Sequence, residues 1–299
     1  MSKAPRSRGA WLRRARPLLV LLAGLGLAVA ALGYWNATRD PVVRQASLAV
    51  AGWPQDEAPL KVLLVSDIHV AGPDMPPARL RRIIGELNRL KPDLVLIAGD
   101  LVSEKRVATH IYTARQVVAP LADFRARLGT VATLGNHDHW FDPAALASEL
   151  RRNGIRILEN DAAEVGPLVI GGVGDEFTGH DDIAATYAAM DRLPQELRPK
   201  PRIVMTHSPD IVPDLPEPVA AVFAGHTHCG QIWLPLISPI SRMSRYGNRF
   251  ACGAIADRGQ AVFVAAGLGT SILPLRFGAP PDVWLVRLHA PPAGLSSQQ

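Results

Sequence analysis

An α/β fold is what this sequence predicts, on three observations. From residue 60 onward, short apolar runs alternate with longer amphipathic segments, the pattern of strands interleaved with helices. Five of the apolar runs end in the same residue types, Asp, His or Asn, which lines those side chains along the carboxyl edge of a sheet. A hydrophobic content of 48% over 299 residues is enough for a sizeable core, in one large domain or two small ones.

The N-terminal segment accounts for the charge. Of the 32 basic residues, seven (Lys3, Arg6, Arg8, Arg13, Arg14, Arg16, Arg39) lie in the first 40 positions, with Asp40 the sole acidic residue there. The rest of the chain carries 25 basic and 26 acidic residues, so it has no basic footprint for nucleic acid and no nucleic-acid partner is expected. After the basic segment 1–16 comes PLLVLLAGLGLAVAALGYW, residues 17–35, uncharged and close to the ~20 residues that cross a bilayer. Tyr34 and Trp35 end it, where amphipathic aromatics favour the interface. It reads as a single-pass anchor with the positive flank cytoplasmic, in a bacterial inner membrane. Ala28-Val29-Ala30 before Ala31 also fits a signal-peptidase site, and Arg13-Arg14 weakly fits a twin-arginine export signal.

Residues 36–59 read as a connector with a possible edge strand in VVRQASLAVAG, and 60–290 as the catalytic domain. Helices are expected over 77–90, 109–128 and 143–154, where apolar positions recur at three and four. The Pro-rich tail 291–299 reads as disordered.

The five strand ends carry the chemistry. LKVLLVS leads to Asp67 and His69, DLVLIAG to Asp100, GTVATLG to Asn136, His137 and Asp138, RIVMT to His207, and VAAVFAG to His226 and His228. This mixed oxygen and nitrogen set, without thiolate, suits two divalent transition-metal ions such as Mn, Fe or Zn. Two ions roughly 3.5–4 Å apart can share a hydroxide and clamp an in-line displacement at phosphorus.

DxH, GD, GNHD, a lone strand-terminal His and GHTH, in that order, resemble the calcineurin-like metallophosphoesterase family. The resemblance implies two mixed β-sheets packed as a sandwich, flanked by helices and here preceded by one transmembrane helix. It implies that Asp67, His69 and His228 hold the first metal, that Asp100 bridges, and that Asn136, His207 and His226 hold the second. His137 would be a non-ligand serving the leaving group, and Asp138 would orient its neighbours. Where many members carry an Asp three positions after the bridging Asp, this chain has Ser103, a neutral neighbour for His137. Cys229 replaces a usual Gly after GHTH; it could pair with Cys252, the chain's other cysteine, or fill the space as a free thiol. The N-terminal segment and GHTHCGQIWLP are similar to a bacterial membrane-associated subgroup linked to UDP-2,3-diacylglucosamine hydrolysis in lipid A synthesis, which implies a lipid-linked substrate. Arg242, Arg245 and Arg249 are candidate substrate contacts, and a soluble phosphodiester or nucleotide is the alternative substrate. A metal-free binding scaffold would normally have lost ligands, whereas all seven positions here hold competent side chains.

With six basic residues before the apolar segment and Arg39 alone close behind it, the catalytic domain should lie outside the cytoplasm. A reporter fused after Gln299 should therefore be active only in its extracytoplasmic form; activity confined to the cytoplasmic form would reverse the topology.

Overall fold

The protein was described from a computed structural model covering residues 8–54, 56–193, 200–233 and 243–292. Helix α1 (Arg8–Thr38) contains the apolar stretch, and the part long and apolar enough to cross a membrane is Ala15–Thr38, somewhat longer than residues 17–35. Its last turns seat on the folded domain. Ala37 is fully buried, Arg276 N donates to Gly33 O at 3.0 Å, and the Tyr34 hydroxyl donates to Pro73 O at 3.2 Å. Arg79 caps the helix end by donating to Ala37 O at 3.3 Å and Arg39 O at 3.0 Å, so carbonyls with no intrahelical partner are satisfied.

Twelve strands follow: β1 (Val42–Ala49), β2 (Leu60–Val65), β3 (Leu94–Ala98), β4 (Thr130–Thr133), β5 (Arg156–Ile157), β6 (Asp161–Val165), β7 (Leu168–Gly172), β8 (Arg202–Met205), β9 (Ala221–Ala224), β10 (Gly253–Asp257), β11 (Gln260–Val264) and β12 (Asp282–His289). Among the described residues they form two six-stranded sheets, ordered β1-β12-β2-β3-β4-β5 and β10-β11-β9-β8-β7-β6. Both are mixed. In the first, β12 runs antiparallel to β2 and the other neighbours are parallel; in the second, β10 and β6 are the antiparallel edges. The stretch expected as an edge strand is β1, in parallel register with β12 from Val42 opposite Asp282 to Ala49 opposite His289.

The central strands are apolar on both faces because both faces are covered. Val62, Leu64, Leu96, Met205, Phe223 and Trp284 fill the space between the sheets. Leu63, Val65, Val95 and Ile97 alternate with them and meet the helices on the first sheet's outer face. There α2 (Pro77–Asn88) buries Leu80, Ile83, Ile84 and Leu87, the i, i+3, i+4, i+7 stripe of an amphipathic helix. α5 (Pro143–Arg152) starts at Asp142, whose side chain accepts from Ala145 N at 2.9 Å, and α6 (Ile183–Arg192) covers part of the second sheet.

The long helix expected over 109–128 is not formed. Thr113 and Gln116 make a capping box that starts α3 (Ala114–Val118), and the chain then tightens into a 3-10 turn over Ala119–Asp123. Pro120 is the reason: its ring clashes with the preceding turn and it has no N–H to continue an α-helical ladder. A further helical segment, α4 (Asn136–Phe141), occupies the place where GNHDHW was expected to be a plain strand end.

Phe223 stacks on Phe263 at 5.4 Å, and Phe263 meets Trp284 of the opposite sheet at 5.4 Å, so one row of rings crosses the sandwich. Phe223→Ala should therefore lower unfolding stability by about 3–5 kcal/mol, the usual cost of such a cavity, read as a shift in the denaturant midpoint.

Candidate metal centre

The parallel strands β2, β3 and β4 and the parallel strands β8 and β9 present their carboxyl ends on one edge of the sandwich. The turns leaving them are stitched together by backbone: Asp67 N donates to Gly99 O at 3.1 Å, His69 N to Asp100 O at 3.0 Å and Gly225 N to His207 O at 3.0 Å. Aiming side chains inward from such abrupt turns requires unusual backbone. Asp67, His69, Asp100, His226 and His228 have φ of 46°, 50°, 56°, 69° and 51°, left-handed values that cost a non-glycine residue of order 1–3 kcal/mol. Gly99 shares this geometry at φ 74°. Gly135 and Gly225 do not, and they are small for a different reason: a Cβ would lie 2.3 Å from Asp100 Oδ1 at the first and 2.3 Å from Asp67 Oδ2 at the second.

All seven residues expected as metal ligands come together, buried. Asp67, His69 and His228 form one group whose ligand atoms lie within 4.8 Å of one another, and Asp67, Asp100 and His207 form another. His69 Nε2 is 3.0 Å from His228 Nε2. Asn136 Oδ1 is 3.1 Å from His207 Nε2 and 3.1 Å from His226 Nδ1. Asp100 Oδ2 stands between the two groups, 3.4 Å from His69 Nε2 and 3.3 Å from His207 Nε2.

These atoms fit a metal by their chemistry. The Nδ1–H groups of His69 and His207 donate to Val102 O at 3.0 Å and Ala98 O at 2.8 Å, which in the neutral His69 ring leaves Nε2 as an acceptor. At His69 that acceptor faces the Asp100 carboxylate oxygen at 3.4 Å, a repulsive arrangement that a cation between them converts to attraction. Burial pushes His69 and His228 well below the ordinary imidazole range, and pushes His226 down to about 3 with help from His207, so these rings are held neutral. His207 is the exception. Burial opposes its charge, but Asp100 and Asp67 beside it hold it well above the usual value. Burial raises the Asp67 carboxyl to about 7 despite His207, with Asp100 adding repulsion.

Comparison with known proteins agrees with this geometry. Residues 60–230 match the family model described as calcineurin-like phosphoesterase. The chain belongs to that family. Relatives in it carry the name metallophosphoesterase, that is, metal-dependent phosphoester hydrolase. An uncharacterized metallophosphoesterase of Helicobacter pylori is 28% identical over 88% of this chain and 70% of its own length. The uncharacterized metallophosphoesterase YkuE of Bacillus subtilis is 30% identical, covering 77% of this chain and 79% of its own. A zebrafish transmembrane protein with metallophosphoesterase domain is 28% identical over 88% of this chain, which spans 61% of that relative.

The remaining sequence candidates fall in different places. Asp138 is fully buried and ties two ligand turns together: Oδ1 accepts from Leu101 N at 2.8 Å and Val102 N at 3.2 Å, and Oδ2 from Gly135 N at 3.0 Å. Its carboxyl is pushed up to about 7 by burial and by Asp100. Ser103 is buried, but its hydroxyl accepts from Lys105 N at 3.4 Å rather than meeting His137. His137 is oriented instead by its backbone N–H to Asp100 Oδ1 at 2.9 Å, by edge contacts to His69 and Trp140, and by Ser271 Oγ 3.4 Å from Nε2. A ring nitrogen of His137 is also within 4.8 Å of the His69 and Asp100 ligand atoms. Arg242 lies outside the described residues. Arg245 is engaged by Glu176, Asp210 and Asp214, and Arg249 by Asp257, so both guanidinium groups are already matched by carboxylates. His139 and His180 stack on each other at 3.9 Å, and His110 packs on Tyr112.

Sequence reasoning missed Ser271, which is 134 residues from His137 and has no motif to mark it. It also missed Trp140, although positions three apart on a helix share a face once 136–141 is known to be helical. Cys229 and Cys252 form a disulfide, so Cys229 is neither free nor a gap filler.

Backbone strain at the ligands yields a comparison free of chemistry. At φ 50° an alanine in place of His69 suffers about 1–2 kcal/mol, from which glycine's extra unfolded-state freedom takes back about 0.5–1 kcal/mol. In chelator-treated protein, His69→Gly should therefore melt about 1–4 °C higher than His69→Ala by calorimetry; the opposite order would mean that the turn relaxes when the ligand is removed.

Proposed function

We propose that this chain is a membrane-tethered, dinuclear metal-dependent phosphoesterase whose catalytic domain works outside the cytoplasm at the surface of a bacterial inner membrane. The observation that carries the reading is Asp100: its Oδ2 faces His69 Nε2 at 3.4 Å and His207 Nε2 at 3.3 Å, the position of a carboxylate shared between two ions. Asp67, His69 and His228 would hold one ion and Asn136, His207 and His226 the other. Bound there, two divalent ions of the Mn, Fe or Zn type supply the positive charge that activates water and polarises a phosphoryl oxygen.

The chain's own residues do the rest. Asp138 keeps the turns bearing Asp100 and Asn136 in register through its three backbone hydrogen bonds. His137 forms part of the cavity beside the ligands, and the proton on its Nε2 passes to the leaving oxygen, with Ser271 Oγ holding the ring edge. Arg245 and Arg249 act as structural ion pairs more readily than as phosphate contacts. The membrane reading is supported by the apolar helix, and the extracytoplasmic side by the basic flank and by the Cys229–Cys252 disulfide, a bond that persists in oxidising compartments. UDP-2,3-diacylglucosamine is one member of the lipid-linked substrate class that the sequence resemblance implies; a soluble diester is the alternative.

Two outcomes test the reading. Protein purified without chelator and supplied with Mn²⁺ should hold two ions per chain by elemental analysis, and Asp100→Asn should lose at least one. His137→Ala should keep both ions yet lose about 10²–10⁴-fold in rate on an ester with a poor leaving group, and far less on a nitrophenyl ester. Equal losses on the two esters, or loss of an ion from the His137 variant, would assign His137 to metal binding.

A further inference from the structure

The residues of the metal centre share a cavity of about 280 Å³ with apolar side chains. Asp100, Asn136, His137 and His226 are part of its lining. So are Ile232, Ile272 and Leu273, apolar groups that hydrolysis of a phosphoester does not require. Ile272 is 69% exposed and Leu273 40%, and Trp233, next to the lining residue Ile232, is 45% exposed. Single exposed apolar residues need no explanation, but here they run on from a catalytic cavity.

The same segment is attached to the membrane helix. Arg276 N donates to Gly33 O at 3.0 Å, and the ring of Phe277 packs so closely on the helix that a Cβ at Gly33 would lie 2.6 Å from it. On its other flank the segment pairs with the strip bearing Ile232: Phe277 N donates to Gln231 O at 3.0 Å and Trp233 N to Phe277 O at 2.8 Å. The Gln231 amide closes the loop by donating to Leu273 O at 3.0 Å and accepting from Ser271 N at 2.9 Å. Arg276 makes the attachment stiff. Its buried guanidinium donates to Ala266 O at 2.7 Å, Gly269 O at 2.6 Å and Ala279 O at 3.0 Å, joining the strap to the loop behind Asp67 and His69.

This construction places the cavity at the membrane. Ile272 and Arg276 are four positions apart, a reach of at most about 14 Å. Gly33 immediately precedes Tyr34 and the exposed Trp35, residue types that settle at the headgroup layer. An apolar cavity wall so close to the bilayer can be covered by something that is already there. We propose that the cavity takes the apolar chain of an amphiphilic phosphate ester drawn from the membrane, with the chain along Ile232, Ile272 and Leu273 and the phosphoryl group at the metal centre. This rests on the phosphoesterase reading given above. In the reaction, water forms the new bond to phosphorus, the P–O ester bond breaks, and the proton goes to the departing alkoxide, so no further reactant is needed.

Alkylphosphonates, which resist hydrolysis, test the inference by binding. Dissociation constants of methyl-, butyl- and octylphosphonate are measured by calorimetry on the full-length, Mn²⁺-loaded chain in nanodiscs of neutral lipid, with empty nanodiscs subtracted. Hydrolysis of p-nitrophenyl phosphate and of bis-p-nitrophenyl phosphate is followed on the same preparation. Each buried methylene strengthens binding about fourfold, so octylphosphonate should bind at least about 100-fold tighter than methylphosphonate. Ile272→Asp should collapse that ratio to less than about 10-fold, and Ile272→Ser should reduce it in the same direction. Because the Ile272 side chain is largely exposed, neither change threatens folding. A ratio that is flat in the wild type, or one that survives in both variants, overturns the chain-binding inference while leaving the phosphoesterase reading standing. Binding of none of the phosphonates together with hydrolysis of neither ester would remove both.

Discussion

Crowding of buried polar atoms is the constraint on which the rest of this structure depends. Asp67, His69, Asp100, Asn136, His207, His226 and His228 bring nitrogen and oxygen atoms within 3.0–3.4 Å of one another at several points, away from water. Such a cluster opposes folding on its own, because buried polar atoms without complementary partners lose hydration for nothing in return. The two Nδ1–H bonds to Val102 O and Ala98 O hold the His69 and His207 rings in place despite it and turn each Nε2 inward. Divalent cations are the natural complement, and binding them would add to stability as well as to chemistry.

That crowding explains the local backbone. Five ligands adopt left-handed φ because a strand arriving at the sheet edge has to reverse within one residue to point its side chain into the shared centre. The cost is tolerable only where the surroundings over-determine the conformation. Here they do: the turns share backbone hydrogen bonds, Asp138 accepts three N–H groups from two of them, and Gly135 and Gly225 leave room for the carboxylates pressed against them. The sandwich beneath, apolar on both faces of its central strands, supplies the rigidity.

The apolar N-terminal helix is part of the same mechanical unit. A linker of free coil would let the catalytic domain tumble relative to its anchor, whereas the bonds at Gly33, Tyr34, Ala37 and Arg39 fix the helix end against the domain. The disulfide does comparable work on the other side of the site by tying the residue after His228 to Cys252. One cross-link restrains the turn at His228 and the other holds the apolar helix against the domain.

The seven residues that meet in the buried cluster, the α/β class and the apolar helix were legible in the sequence alone. Each depends on local pattern: strands declare themselves by apolar runs, their ends by the polar residues that interrupt them, and a spanning helix by length without charge. Pro120 was legible too, yet the periodicity around it suggested a continuous helix, and only the packed structure shows the break into α3 and a 3-10 turn. What tertiary structure decided are the contacts between distant parts of the chain. Ser271 beside His137, the matching of Arg245 and Arg249 by carboxylates, the pairing of the two cysteines and the docking of Gly33 on Phe277 carry no local signature. Periodicity and strand-end composition are properties of neighbours along the chain; a hydroxyl 134 residues away is brought to a histidine by the crossing of two sheets, and no spacing rule encodes that.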